Sequence, residues 1–148
     1  MSDISYSPSH VGICVSDLDR SLRFYCEGLG FEPAERYELD SAEMEGLDRS
    51  LEVPGPLTLI SQMIVSEGMK IELLAYPGHQ VSGSPSTSRG FLGLTHLSFN
   101  VDKVDSAARR LEEFGGTILP ETRSEAGIVL LFLTDPDGTR VELMGQPG

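Results

Sequence analysis

His10-Val11-Gly12-Ile13-Cys14-Val15, near the start of the 148-residue chain, has a counterpart in His96-Leu97-Ser98-Phe99-Asn100-Val101. Both stretches alternate. Val11, Ile13 and Val15 fall on one face of an extended chain and His10, Gly12 and Cys14 on the other; Leu97, Phe99 and Val101 likewise oppose His96, Ser98 and Asn100. Each is predicted to be a half-buried strand that opens with a histidine on its non-aliphatic face. Laid over one another from those histidines, the halves also match Val15 with Val101, Asp19 with Asp105 and Gly30 with Gly116, the mark of an internal duplication.

A helix is predicted after each strand. In the first, Ser16 with Asp19 three residues on makes a capping-box signal, Leu18, Leu22, Tyr25 and Leu29 keep helical spacing, and Gly28 and Gly30 offer a stop. In the second, Asp102 is placed to cap, Val104, Ala107, Ala108, Leu111 and Phe114 form the apolar stripe, and Gly115-Gly116 ends it.

Each half then closes on a hairpin. Lys70-Ile71-Glu72-Leu73-Leu74 and Arg140-Val141-Glu142-Leu143-Met144 agree position by position: basic, β-branched, acidic, leucine, apolar. Ser66-Glu67-Gly68 turns into the first and Asp135-Pro136-Asp137-Gly138 into the second, after strands expected at Leu57 to Val65 and Ile128 to Thr134. The interval from His to Glu is longer in the first half, and the surplus falls in Glu38 to Pro56, a candidate rim for a pocket. Pro77 to Gly93 has the Gly, Ser, Pro and Thr content of a linker or mobile loop. The expectation is an α+β chain, one domain over residues 1–148, with βαβββ modules at 8–76 and 94–145 joined by the linker 77–93. A chain of this length buries one good core, so the duplication must assemble into a single unit.

The net charge of −12, from 23 acidic against 11 basic residues, argues against nonspecific binding to nucleic acid or an anionic membrane, which require basic surfaces. The opening MSDISYSPSH has no basic and apolar leader pattern, and the longest aliphatic and aromatic run, Ile128 to Leu133, is too short to span a bilayer. A cytoplasmic location is expected. Cys14 and Cys26 lack the spacing of a metal knuckle or a disulfide framework and are read as small buried hydrophobes. No dinucleotide, P-loop or nucleophile-elbow motif is present. His79 lies in the linker with no counterpart in the other half and is read as a surface-loop residue.

Two halves that each supply a histidine and a glutamate predict a four-ligand site: His10, Glu72, His96 and Glu142 on one divalent cation. Imidazole with carboxylate suits Zn, Ni, Co, Fe or Mn, and two carboxylates neutralise the dication. A single histidine opening a strand, or a single glutamate within one, is ordinarily structural or solvent-facing. The same pair at equivalent points of both halves, with the acid set in otherwise apolar strand endings, is harder to assign to solvation, because burying an unpartnered charge is costly.

These residues resemble a known superfamily. HVGICVSDLDRSLRFYCEGLGF at 10–31 resembles the opening of vicinal-oxygen-chelate proteins, and LTHLSFNV at 94–101 with FLTDPDGTRVEL at 132–143 resembles their second-module signatures. The superfamily holds glyoxalase I, methylmalonyl-CoA epimerase, extradiol dioxygenases and the fosfomycin and bleomycin resistance proteins. The resemblance implies two βαβββ modules whose curved sheets form a cup around the metal, commonly completed by a homodimer, with a small molecule as substrate. It carries the ligand role onto His10, Glu72, His96 and Glu142. A fourth protein ligand, Glu72, matches glyoxalase I and the epimerase; dioxygenases and fosfomycin-resistance enzymes use two histidines and one glutamate.

The resemblance therefore implies a lyase or isomerase that moves a proton at a carbon beside a carbonyl, with Glu142 as the base and Glu72 as its symmetric partner. Two other readings are an Fe(II) extradiol-type dioxygenase, for which Glu72 would be dispensable, and a bleomycin-resistance-like binding protein, which needs no metal ligands. Small and apolar residues beside the ligands, Gly12, Cys14, Ser98, Leu74 and Met144, leave space for a modest, partly apolar ligand. No cluster of basic residues for glutathione carboxylates or a CoA phosphate is visible in sequence: Arg20, Arg23, Arg36 and Arg89 are scattered, and only the fold could gather them.

Overall fold

The computed structural model describes residues 4–148; Met1–Asp3, part of the opening stretch read above for a leader, lie outside the described residues. The order of elements is β1 (Val11–Cys14), α1 (Leu18–Leu22) running into a π-helical turn (Arg23–Gly28), β2 (Glu32–Asp40), α2 (Leu47–Leu51), β3 (Thr58–Ser66), β4 (Met69–Ala75), β5 (Leu97–Lys103), α3 (Val104–Glu113), β6 (Thr117–Ser124), β7 (Val129–Thr134) and β8 (Arg140–Gln146). The strands make two four-stranded mixed sheets of the same order, β1-β4-β3-β2 and β5-β8-β7-β6. In each, the first strand runs parallel to the last and the other pairs are antiparallel. The duplication read from the sequence is thus a duplication of topology. Among the described residues no helix is long and apolar enough to cross a membrane.

The chain divides into two compact units: one holds residues up to Val15 with Phe31–Gln80, the other Ser16–Gly30 with Val81–Gly148. In the first, alternation along β4 buries Ile71, Leu73 and Ala75 and leaves Lys70, Glu72 and Leu74 half-buried on the other face. The insertion folds back on this sheet. Leu47 of α2 joins Leu57 and Leu59 in a buried cluster against which Leu39, Leu51, Leu74 and Tyr76 pack. Because Leu59 pairs with Leu39, and Ser61 with Leu74, this apolar wall covers part of the face that carries Glu72.

In the second unit, Val104, Ala108 and Leu111 of α3 are buried, as are Leu131, Leu133, Val141 and Leu143 of β7 and β8. The valine and leucine side chains contribute about 1.5–3 kcal/mol each on burial. Near its end β5 is irregular against β8, and a Cβ on Gly145 would stand 1.9 Å from the Val101 carbonyl oxygen, so only glycine fits there.

The helix that follows β1 belongs to this second unit, and polar contacts hold it. Tyr25, fully buried, donates its hydroxyl to Asp135 Oδ2 at 2.9 Å. Asp135 Oδ1 in turn accepts from the amides of Asp137 and Thr139 at 2.9 and 2.8 Å. Asp137 accepts from the Ser16 amide at 2.9 Å and from Arg20 Nη2 at 2.8 Å. Burial pushes the Asp135 carboxyl up from the usual carboxylate range, against the pull of these donors, and burial followed by the Asp135 charge pushes the Tyr25 hydroxyl up. Arg110 of α3 caps the far end of the π turn, donating to the Glu27 and Gly28 carbonyls at 2.6 and 3.2 Å.

Three local expectations are corrected. Ser16 is not the cap of the first helix: Asp17 is, its carboxylate accepting from the Arg20 amide at 3.0 Å, because Ser16 is engaged by Asp137. The second helix is not capped by Asp102 either. β5 runs on to Lys103, which takes the capping position without a side-chain hydrogen bond. Cys14 is exposed and Cys26 half-buried, so neither is a core residue, and neither is in a disulfide.

Replacing Asp135 by Ala strips the buried Tyr25 hydroxyl and two amides of their acceptor and is expected to cost about 2–4 kcal/mol in urea unfolding. Asp135→Asn, which keeps an acceptor for both amides, should cost clearly less.

Candidate metal centre

Parallel pairing in register puts Gly12 beside Glu72 and Ser98 beside Glu142. Each histidine is two residues before that partner and just ahead of its strand, and its ring reaches the glutamate. In the first unit His10 Nε2 lies 3.1 Å from Glu72 Oε2, and in the second His96 Nε2 lies 3.4 Å from Glu142 Oε2. The side chains of His10 and His96 keep 33% and 29% of their exposure, against 18% for Glu72 and 10% for Glu142: recessed carboxylates behind accessible imidazoles.

Hydroxyls complete each pair. Ser9 Oγ stands 2.8 Å from His10 Nδ1 and Thr95 Oγ1 stands 2.8 Å from His96 Nδ1. The Ser61 hydroxyl donates to Glu72 Oε1, and the Ser98 hydroxyl donates to Glu142 Oε2 at 2.6 Å. A hydroxyl suits a ligand histidine because it both donates and accepts. It can donate to Nδ1 while Nε2–H faces the carboxylate, and accept from Nδ1–H once Nε2 is needed as a bare lone pair. The His96 ring is further set by an edge contact with Phe132, centroids 5.2 Å apart. Phe132 pairs with Glu142 across β7 and β8 and so shares its face.

The two halves differ in one respect. Both partners of Glu142, Ser98 and His96, engage Oε2, whereas Ser61 and His10 take one oxygen each of Glu72. The hydroxyl partners were not singled out from the sequence, although the same overlay that matches the histidines also matches Ser9 with Thr95. Among the described residues no three His, Cys, Asp or Glu side chains form a group that could hold a metal ion. The geometry brings the four expected residues together as two pairs, one in each unit. Donor chemistry in each pair fits a divalent cation: an imidazole nitrogen and a carboxylate side by side, each held from behind by a hydroxyl. His79 is half-buried, with its ring 6.3 Å from that of Tyr76, and lines a cleft of about 220 Å³ with Asp40 and Thr58.

The family model described as the Glyoxalase/Bleomycin resistance protein/Dioxygenase superfamily matches residues 7–143. The chain belongs to this superfamily. Within the glyoxalase superfamily it is 28% identical over 149 residues to a lactoylglutathione lyase of Schizosaccharomyces pombe, an alignment covering 96% of this chain and 48% of that protein. The chain thus spans about half the length of that relative. It is 30% identical over 146 residues to a 2-epi-5-epi-valiolone epimerase of an Actinomyces species, covering 93% of this chain and 78% of the epimerase. A crystal structure of a glyoxalase family protein from Bacillus cereus superimposes with a TM-score of 0.79 at 22% identity, covering 100% of this chain and 99% of that one, which shows the shared fold.

Thr95→Val keeps the shape of the side chain and removes the hydroxyl behind His96. It is expected to weaken divalent-cation binding by about tenfold or more, as loss of such supporting contacts does, measured by competition with a chromogenic chelator.

Proposed function

We propose that this glyoxalase-superfamily chain is a metal-dependent enzyme, a lyase of the glyoxalase I kind or an isomerase of the epimerase kind, acting on a small molecule by proton transfer at a carbon beside a carbonyl. The observation that carries this reading is the repeated set of imidazole, carboxylate and hydroxyls: His10, Glu72, Ser9 and Ser61 in one unit, His96, Glu142, Thr95 and Ser98 in the other. His10, Glu72, His96 and Glu142 would hold one divalent cation, Zn, Ni, Co, Mn or Fe. When bound, the cation supplies a Lewis acid that polarises the carbonyl and eases loss of the neighbouring proton.

Glu142 is assigned as the base that takes and returns that proton. Both its partners sit on Oε2, which leaves Oε1 the oxygen that can carry a proton, while both oxygens of Glu72 are engaged. Glu72 is then chiefly a ligand, with the symmetric base role secondary. The apolar wall of Leu47, Leu57, Leu59 and Leu74 supports a partly apolar ligand near Glu72. A homodimer and a cytoplasmic setting belong to the same reading, as do a first module of 8–76, a linker of 77–93 and a second module of 94–145.

Metal analysis of the purified protein beside Glu72→Gln and His96→Ala tests the ligand set. One dication per chain, lost or much weakened in both variants, is expected. Exchange of substrate hydrogen with solvent, followed on α-hydroxycarbonyl and thiohemiacetal substrates with Ni, Co, Zn or Mn restored, tests the chemistry. Glu142→Gln should lower turnover by about 10²–10⁴-fold, the usual contribution of a general base. Undiminished turnover in a metal-loaded Glu142→Gln variant would refute the assignment of the base, and a wild-type protein that binds no dication would refute the enzyme reading as a whole.

A further inference from the structure

Lys70 and Arg140 hold equivalent places in the two halves, each two residues before the glutamate of its strand. Lys70 has an acid: its Nζ lies 3.1 Å from Glu35 Oε2. Arg140, half-buried, has none among the described residues, and its Nη1 donates to the Gly138 carbonyl at 3.1 Å. A second half-buried guanidinium, that of Arg89, comes to the same end of this sheet. Arg89 donates to the carbonyls of Ser86 and Thr95 and likewise reaches no carboxylate among the described residues. Thr95 is the residue before His96, and Leu97 pairs with Val141 in the parallel register of β5 and β8. The Thr95 carbonyl and Arg140 therefore come to the same end of the sheet, level with His96. Burial, and after it the positive charge of Arg140, holds the Arg89 guanidinium below its usual pKa, consistent with two cations close together.

This pairing is against the run of the chain. There are 23 acidic residues to 11 basic, and the other half-buried cations, Lys70 and Arg123, each reach a carboxylate. Two half-buried like charges left together without an acid are unfavourable unless something neutralises them. Each guanidinium has five N–H donors, so the carbonyl contacts leave donors in hand, and planar guanidinium forks match carboxylate and phosphate oxygens.

We propose that Arg89 and Arg140 form the seat of an oxyanion, a carboxylate or phosphate group carried by the small-molecule substrate, beside the His96–Glu142 pair. That the anion belongs to a substrate rests on the enzyme reading above; that an anion binds there does not. The seat fixes one end of the substrate while the carbon to be deprotonated faces Glu142, and it selects acidic substrates over neutral analogues of the same shape.

The test uses the full chain stripped of metal by a chelator, titrated calorimetrically with inorganic phosphate and, separately, with acetate. Binding of at least one of them at one site per chain is expected, weakened about tenfold or more in Arg140→Gln and in Arg89→Gln, since a hydrogen bond to a charged group is among the stronger kinds. Whichever anion binds more tightly names the oxyanion. Because Arg89 also ties down its own loop, Arg140→Gln decides the matter if Arg89→Gln melts early, and Arg140→Lys should restore part of the binding. No binding of either anion, or equal binding in wild type and Arg140→Gln, overturns the proposal. Dication binding is measured on the same proteins. A chain that seats the anion but binds no metal refutes the enzyme reading alone; one that binds metal but neither anion refutes this inference alone.

Discussion

Parallel pairing of the first and last strands within each half is the constraint on which the candidate centre depends. Side chains alternate along a strand with a period of two, so sliding β1 against β4, or β5 against β8, by one residue would carry every side chain of the moving strand to the opposite face. With Gly12 beside Glu72 and Ser98 beside Glu142, the histidine two residues back must share the glutamate's face. The aliphatic alternation enforces that register. Ile71 and Leu73 in one sheet, and Val141 and Leu143 in the other, are fully buried on the far face, so a slip would trade several buried aliphatic side chains for buried charge.

What stands on the ligand face differs between halves in a way the duplication does not require. Gly12 leaves room beside Glu72, whose hydroxyl partner comes from the neighbouring strand at Ser61, while Ser98, at the matching place, serves Glu142 directly. The first half carries an apolar wall built by its insertion; the second carries Phe132 against His96 and the two arginines. One half thus offers apolar surface and the other offers charge.

The Asp135-Pro136-Asp137-Gly138 turn serves the architecture more than the chemistry. Asp135 satisfies two amides of its own turn and the buried Tyr25 hydroxyl, and Asp137 takes hold of Ser16 and Arg20. Contacts far apart in sequence thereby place the helix following β1 in the unit of the second sheet. Read along the chain, Ser16 looked like a helix cap. The tertiary contact outcompeted that local role, and Asp17 took it over.

Periodicity, turn residues and internal repetition settled from the sequence alone that the chain has two matching halves, which strands follow a histidine and which carry a glutamate, and where the insertion falls. These are properties of neighbouring residues, and the physics that reads them is local. Four features were decided only by the tertiary structure. They are the hydroxyl partners of each ligand pair, the difference in how the two carboxylates are engaged, the unit that receives the first helix, and the arrival of Arg89 and Arg140 at one end of the second sheet. Each depends on which atoms from distant segments come within hydrogen-bonding or Coulombic reach, and that separation is set by sheet register and burial rather than by spacing along the chain.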